Sequence, residues 1–172
     1  KYTVTAEVKA LAIIESPLGL ENAYAIASAH KSLRGILLGA EDFTAAMGAQ
    51  RTGEGAEIAH ARARLVTACK AADILAIDTP YPFVSDLEGL EKDAAYAVQL
   101  GFDGKAVISP HHVHRVNQAF MPAPEKINWA RRVMAAARKA DEEGKGAVSL
   151  DGMMIDLPII KRAERILLLA DA

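Results

Sequence analysis

A single cysteine, Cys69, stands in a chain of 172 residues. One thiol cannot close an internal disulfide, so the fold must rest on packing, and a reducing compartment, the cytoplasm, is expected. Cys69 lies in an Ala-rich helical pattern and reads as a packing residue, not a nucleophile. No apolar run reaches the ~18 residues of a membrane helix, and no basic-then-apolar segment reads as a leader, so no membrane partner is expected. Positive charge is not in excess either. The 20 Lys and Arg face 22 Asp and Glu, for a net charge of -2. The basic footprint of a nucleic-acid binder is therefore missing. There is no low-complexity tract and no internal repeat beyond the strand–helix alternation itself. A starting methionine is also missing: Lys1 runs almost directly into a strand pattern, which reads as a piece of something longer.

What is present is a composition with 51% hydrophobic and 24% charged residues, ordinary for a globular domain with a real core. Short apolar runs alternate with longer helical patterns. Strands are predicted at 10–14 (ALAII), 35–38 (GILL), 74–77 (ILAI) and 105–108 (KAVI). Ser16-Pro17 is a helix start, with the helix running to about His30. Further helices are predicted at 43–47 and 57–71. Ser85-Asp86-Leu87-Glu88 has the form of a capping box ahead of a helix to about Leu100, and Ser109-Pro110 opens another. Apolar, non-alternating strands interleaved with helices imply a parallel sheet, with the strands adjacent in chain order. Then the pattern changes. A helix is predicted at 125–140, a break at 144–146, an apolar and extended stretch at 148–155, and a closing helix at 158–170. Two regions follow: 1–122, a partial (β/α) barrel domain, and 123–172, a helical segment.

Four strand–helix units are half of an eight-stranded barrel, which usually needs ~250 residues. A half-barrel has two open edges, which soluble proteins avoid. The fold class expected is thus α/β, the second half of a TIM (β/α)8 barrel completed by a front half outside this sequence. The alternative is a smaller open sheet.

In parallel α/β folds, chemistry gathers at the C-terminal ends of strands. Glu15 stands after the first strand, Gly39-Ala40-Glu41-Asp42 after the second, Asp78-Thr79-Pro80 after the third and Ser109-Pro110-His111 after the fourth. Hard carboxylate oxygens from neighbouring strands, with room for water and substrate, suit Mg2+. Each has a structural alternative. Asp42 is placed to cap the helix at Phe43, Glu15 to pair with a rim lysine, and Asp78 to shape the turn before Thr79-Pro80. His111, His112 and His114 lack a cysteine or carboxylate at ligand spacing, so zinc is not expected. Arg51-Thr52-Gly53-Glu54-Gly55 reads as a mobile polar loop without a phosphate-binding fingerprint.

Three segments, Ala12-Ile13-Ile14-Glu15-Ser16-Pro17-Leu18-Gly19-Leu20, Gly39-Ala40-Glu41-Asp42-Phe43 and Gly152-Met153-Met154-Ile155-Asp156, resemble the citrate lyase beta-subunit family, with its malyl-CoA and citramalyl-CoA lyase relatives. The resemblance covers nearly the whole chain, in order, and includes Ile108-Ser109-Pro110, where relatives often carry histidine in place of serine. It implies Mg2+, with Mn2+ possible, on Glu15 and Asp42. It implies Asp156 as acid/base at the acyl-CoA carbon, where the residues alone suggest a cap for the helix opened by Pro158. Glu41, Asp78 and Pro80, at the same mouth, are expected to face the substrate. The reaction implied joins or splits an acyl-CoA and a 2-oxo acid. The resemblance further implies a homo-oligomer in which the C-terminal segment closes as a lid over a neighbouring subunit's site. The family's substrate arginine and much of its CoA surface belong to the front half, and no arginine here matches it. Two other readings are a 2-oxo acid aldolase that uses metal but no thioester, and a non-catalytic half-barrel.

Overall fold

The computed structural model describes residues 8–142, 144 and 148–170. They fall into two compact units that divide between Phe120 and Met121.

In the first unit the apolar runs become four parallel strands, β1 (Ala10–Ile14), β2 (Leu33–Leu38), β3 (Leu75–Asp78) and β4 (Gly104–Lys105). Their spatial order is β1-β2-β3-β4, as predicted. A parallel neighbour can only be reached by a crossover, and helices supply it. These are α1 (Pro17–Glu21) and α2 (Ala23–Ala27), then α3 (Ala40–Met47), a 3-10 turn (Ala56–Ile58) and α4 (Ala59–Ala71), then α5 (Leu87–Leu100). After β4 comes α6 (Pro110–Phe120).

Strand alternation divides the sheet into two faces. The register pairs Ile14 with Leu38, Ile36 with Ala76 and Asp78 with Lys105. Ile14, Ile36, Leu38 and Ala76 therefore share one face, and they lie in one buried cluster with Ala27, Leu65 and Cys69 from α2 and α4. Fully burying each of the large aliphatics contributes about 1.5–3 kcal/mol. The other face is open: Leu11 is 66% exposed, Ile13 56% and Leu75 47%.

Several helix boundaries differ from the sequence expectation. The first helix is two, divided at Asn22, whose backbone leaves the helical region and whose side-chain amide donates to the Leu18 carbonyl at 2.8 Å. The α5 cap is Asp86, not Ser85. Its Oδ1 accepts from the Gly89 amide at 2.9 Å, one residue later than the predicted box. β4 has two residues where four were expected, and α3 begins at Ala40, three residues early.

The second unit holds α7 (Pro124–Glu142), a hairpin of β5 (Val148–Leu150) and β6 (Met153–Ile155), and α8 (Leu157–Ala170). The stretch expected to be extended is thus an antiparallel pair. Asp151 and Gly152 turn it, with φ of 52° and 79°. Positive φ at both central residues is the geometry that suits an Asp-Gly two-residue turn. Ala130, Val133, Ile155 and Ala163 form its core. Of the break expected at 144–146, Gly144 has a left-handed φ of 66°, and residues 145 and 146 lie outside the described residues.

Candidate metal centre

Glu15 and Gly39 are the residues that follow β1 and β2. Because Ile14 pairs with Leu38, they leave the sheet side by side, and the Gly39 amide donates to the Ile14 carbonyl at 2.9 Å. The Glu15 side chain lies across Gly39. A Cβ at position 39 would sit 2.8 Å from the Glu15 Cβ and 3.1 Å from its Oε2. Only glycine leaves that seat free. Gly39 is also the N-cap residue of α3, so Glu41 and Asp42 fall in the first turn of that helix. Exposed helix amides there favour negative charge. The early start of α3 means that Asp42 rides inside the first turn and does not cap it.

Glu15 and Asp42 are both exposed. Among the described residues neither carboxylate has a hydrogen-bond or ion-pair partner. Glu41 is 67% exposed at its side chain and approaches Arg51 Nε at 3.4 Å. No group of three or more His, Cys, Asp or Glu residues able to hold a metal occurs among the described residues. What remains is two unpartnered carboxylates, Glu15 directly after β1 and Asp42 in the first turn of the helix that follows β2. Such a set fits a hard cation that keeps most of its coordination for water and substrate, as Mg2+ does.

Asp78 is not at this surface, which corrects the expectation that it faces substrate. It is the last residue of β3, not the residue after it, and alternation sends its side chain to the helix-covered face. There it is 0% exposed. Arg62 of α4 donates to it through Nε and Nη2, both at 2.9 Å, and Lys105 Nζ donates at 2.7 Å. Asp93 of α5 completes the cluster, 2.7 Å from Arg62 Nη2 and 2.5 Å from Lys105 Nζ. Burial opposes the Arg62 charge, but Asp78 and then Asp93 hold its pKa above the ordinary value. Sequence reasoning missed Arg62, Asp93 and Lys105, although Arg62 lies at core spacing with Ile58, Leu65 and Cys69.

Thr79 and Pro80 follow. Thr79 is buried, Lys105 Nζ donates to its carbonyl at 2.6 Å, and its Oγ1 accepts from the Ala40 amide at 3.3 Å. Pro80 is half-buried. The loop expected to be mobile is pinned. Glu57 accepts from the Thr52 amide at 3.0 Å, the Thr52 hydroxyl at 2.8 Å and Arg51 Nη1 at 2.7 Å. Burial pushes the Glu57 carboxyl up, but these bonds outweigh it and bring its pKa down to about 2. A cavity of about 520 Å3, lined by Gly53, Tyr81, Phe83, Asp86 and Tyr96 among others, includes neither Glu15 nor Asp42.

In the second unit Asp156 is exposed and caps α8, its Oδ1 accepting from the Ile159 amide at 3.2 Å. Beside it Met153, Met154 and Leu157 are exposed. Among the described residues no helix is long and apolar enough to cross a membrane.

The pattern of the HpcH/HpaI aldolase/citrate lyase family matches residues 3–110, a stretch that includes Glu15 and Asp42. Citrate lyase subunit beta of Haemophilus influenzae is 45% identical over 159 residues, which are 92% of this chain and 55% of that protein. The mitochondrial citramalyl-CoA lyase of Rattus norvegicus is 39% identical over 138 residues, 80% of this chain and 41% of that one. Among solved structures, CitE of Mycobacterium tuberculosis in complex with magnesium, acetoacetate and coenzyme A superposes with a TM-score of 0.82 at 34% identity, over 95% of this chain and 61% of that chain. The chain spans about half the length of the curated relatives it matches.

Proposed function

The chain belongs to the HpcH/HpaI aldolase/citrate lyase family, and on that premise we propose that it carries the metal site of an Mg2+-dependent carbon–carbon lyase acting on a 3-hydroxyacyl-CoA thioester. The observation that carries the proposal is the seat of Glu15 over Gly39, the N-cap of the helix whose first turn bears Asp42, with both carboxylates unpartnered among the described residues. Glu15 and Asp42 would hold the ion. When bound, Mg2+ supplies Lewis-acid polarisation of the oxo-acid oxygen, and Mn2+ is an acceptable substitute. In the cleavage direction the hydroxyl carbon becomes a carbonyl and its hydroxyl proton passes to solvent water. The carbon–carbon electron pair passes to the carbon next to the thioester, and Asp156 delivers a proton there. In reverse Asp156 removes it. Glu41 and Pro80 line the same mouth and contact the oxo acid.

The open sheet face, with Leu11, Ile13 and Leu75 exposed, suits the interior of a larger barrel of which these strands are the second half. The second unit serves as a lid. Its apolar patch at Met153, Met154 and Leu157 lies against a neighbouring subunit, and Asp156 completes that neighbour's site within a homo-oligomer in the cytoplasm. The aldolase in the family's description keeps a second reading open, a metal-dependent aldolase of free oxo acids. Turnover of a thioester substrate with none for the free acid separates the two.

The test is calorimetric titration of Mg2+ into the wild type, Glu15→Ala and Asp42→Ala. Affinity should be lost in both variants. Unchanged binding in both refutes the assignment. For the shared site, Asp156→Asn and Glu15→Ala subunits, each inactive alone, should recover activity when mixed and exchanged. A mixture that stays inactive despite exchange rules it out.

A further inference from the structure

We infer that Thr79 is a positioning residue that fixes the start of α3, and with it Asp42, against Glu15. The inference rests on the metal reading above but concerns a residue outside the ligand set. It begins with a conflict at Gly39. The first amides of a helix have no partner within the helix, and the N-cap side chain normally accepts from one of them. Position 39 is the N-cap of α3, yet it must be glycine, because a Cβ there would meet the Glu15 Cβ at 2.8 Å and the Ile13 Cγ2 at 3.1 Å. Seating Glu15 therefore strips α3 of its own cap, and no side-chain capping bond arises from Gly39.

The missing acceptor comes from the next strand. Thr79 follows β3, is 2% exposed, and places its Oγ1 3.3 Å from the Ala40 amide, the first of α3. Thr79 is itself held. Its carbonyl accepts from Lys105 Nζ at 2.6 Å, and the same ammonium bonds Asp78 at 2.7 Å and pairs with Asp93 at 2.5 Å. Asp78 and Asp93 are both tied to Arg62. A fully buried charge cluster behind the sheet is thus linked through one threonine to the helix turn that bears Asp42. Asp42 sits two residues after Ala40, so a loosened first turn moves its carboxylate relative to Glu15. A two-carboxylate site depends on that relation, since neither ligand holds the ion alone.

The test compares Thr79→Val, which keeps shape but removes the acceptor, with Thr79→Ser, which restores it. Mn2+ affinity is measured on the intact protein by electron paramagnetic resonance, with urea denaturation and amide exchange at residues 40–44 alongside. Losing a cap should weaken Mn2+ binding by roughly threefold to tenfold in Thr79→Val. Exchange at Ala40 should quicken, and Thr79→Ser should restore both. Wild-type affinity in Thr79→Val overturns the inference, as does a loss that Thr79→Ser fails to restore. If the wild type binds no Mn2+, the metal reading fails by itself. Exchange then decides: unchanged protection of Ala40 in Thr79→Val overturns the cap, and quickened exchange rescued by serine upholds it.

Discussion

Replacing Asp78 by asparagine should cost about 3 kcal/mol of unfolding free energy, and the reason lies in the charge count behind the sheet. Arg62, Lys105, Asp78 and Asp93 have side chains between 0% and 4% exposed and sum to zero charge. Asp78 accepts three bonds from charged donors, at 2.9, 2.9 and 2.7 Å. Asparagine keeps one carbonyl oxygen but turns an amide towards donors that need an acceptor. It also leaves two cations buried against one anion. Breaking a buried pair by removing one partner costs about 3–5 kcal/mol, and the surviving oxygen puts this case at the lower end. Against a total stability of about 5–15 kcal/mol, such a loss is plain in urea denaturation.

A second substitution tests the charge argument itself. Lys105→Met alone leaves two anions and one cation and should cost a similar ~3 kcal/mol. The double variant restores neutrality, because Arg62 and Asp93 remain paired at 2.7 Å. Its cost should fall short of the sum of the single costs by about 2 kcal/mol, within the coupling range of contacting residues. Additive costs would refute the balance argument, and an Asp78→Asn cost below about 1 kcal/mol would refute the network's contribution altogether.

Three further outcomes are expected. Glu57, held at about 2 against an ordinary 4.5, contributes stability that is present above pH 4.5 and lost as pH falls from there towards 2. Glu57→Gln should flatten that window by on the order of 2–3 kcal/mol in acid unfolding, and identical acid profiles would contradict it. Gly39→Ala puts a methyl 2.8 Å from the Glu15 Cβ and should weaken Mg2+ binding at least about tenfold, one increment of ~1.4 kcal/mol, while the fold persists by circular dichroism. Wild-type affinity in that variant would mean that Glu15 is not seated on Gly39. Asparagine caps helices as well as aspartate, so Asp156→Asn should keep thermal stability while turnover falls about 100-fold to 10,000-fold, and Asp156→Ala should lose a further ~1 kcal/mol of stability. Full activity in Asp156→Asn would leave the residue as a cap alone.

The parallel sheet was legible because its strands are short apolar runs between helical patterns. The helix ends were less so. Asn22 breaks a helix that periodicity alone carries through, and Asp86 takes the capping bond that the spacing offered to Ser85. In the first case a side-chain amide bonds a carbonyl one turn back, and in the second the cap falls one residue later than the box spacing. Arg62 is different, since its signal was present. A cation at helical spacing with Ile58, Leu65 and Cys69 must be buried, and a buried cation requires a buried anion. The carboxylate of Asp78, in an otherwise apolar strand, was the available partner.

The misplacement of Asp78 shows what strand-end reasoning needs in addition to position. Glu15 and Asp78 both stand where an apolar run gives way to polar residues. Glu15 lies one residue beyond the β1–β2 pairing, after Ile14, which points to the helix layer. The parity of the next side chain therefore turns it away from that layer, over Gly39. Asp78 still belongs to β3 and pairs with Lys105, and it shares parity with Ala76, which is 0% exposed under the helices. One residue of strand length thus decides whether a carboxylate meets solvent or a buried arginine. The same count accounts for Thr79. It comes one residue after Asp78, as Glu15 comes one after Ile14, but the start of α3 is packed against it. Its hydroxyl meets the Ala40 amide, where Glu15 meets the space that Gly39 leaves open.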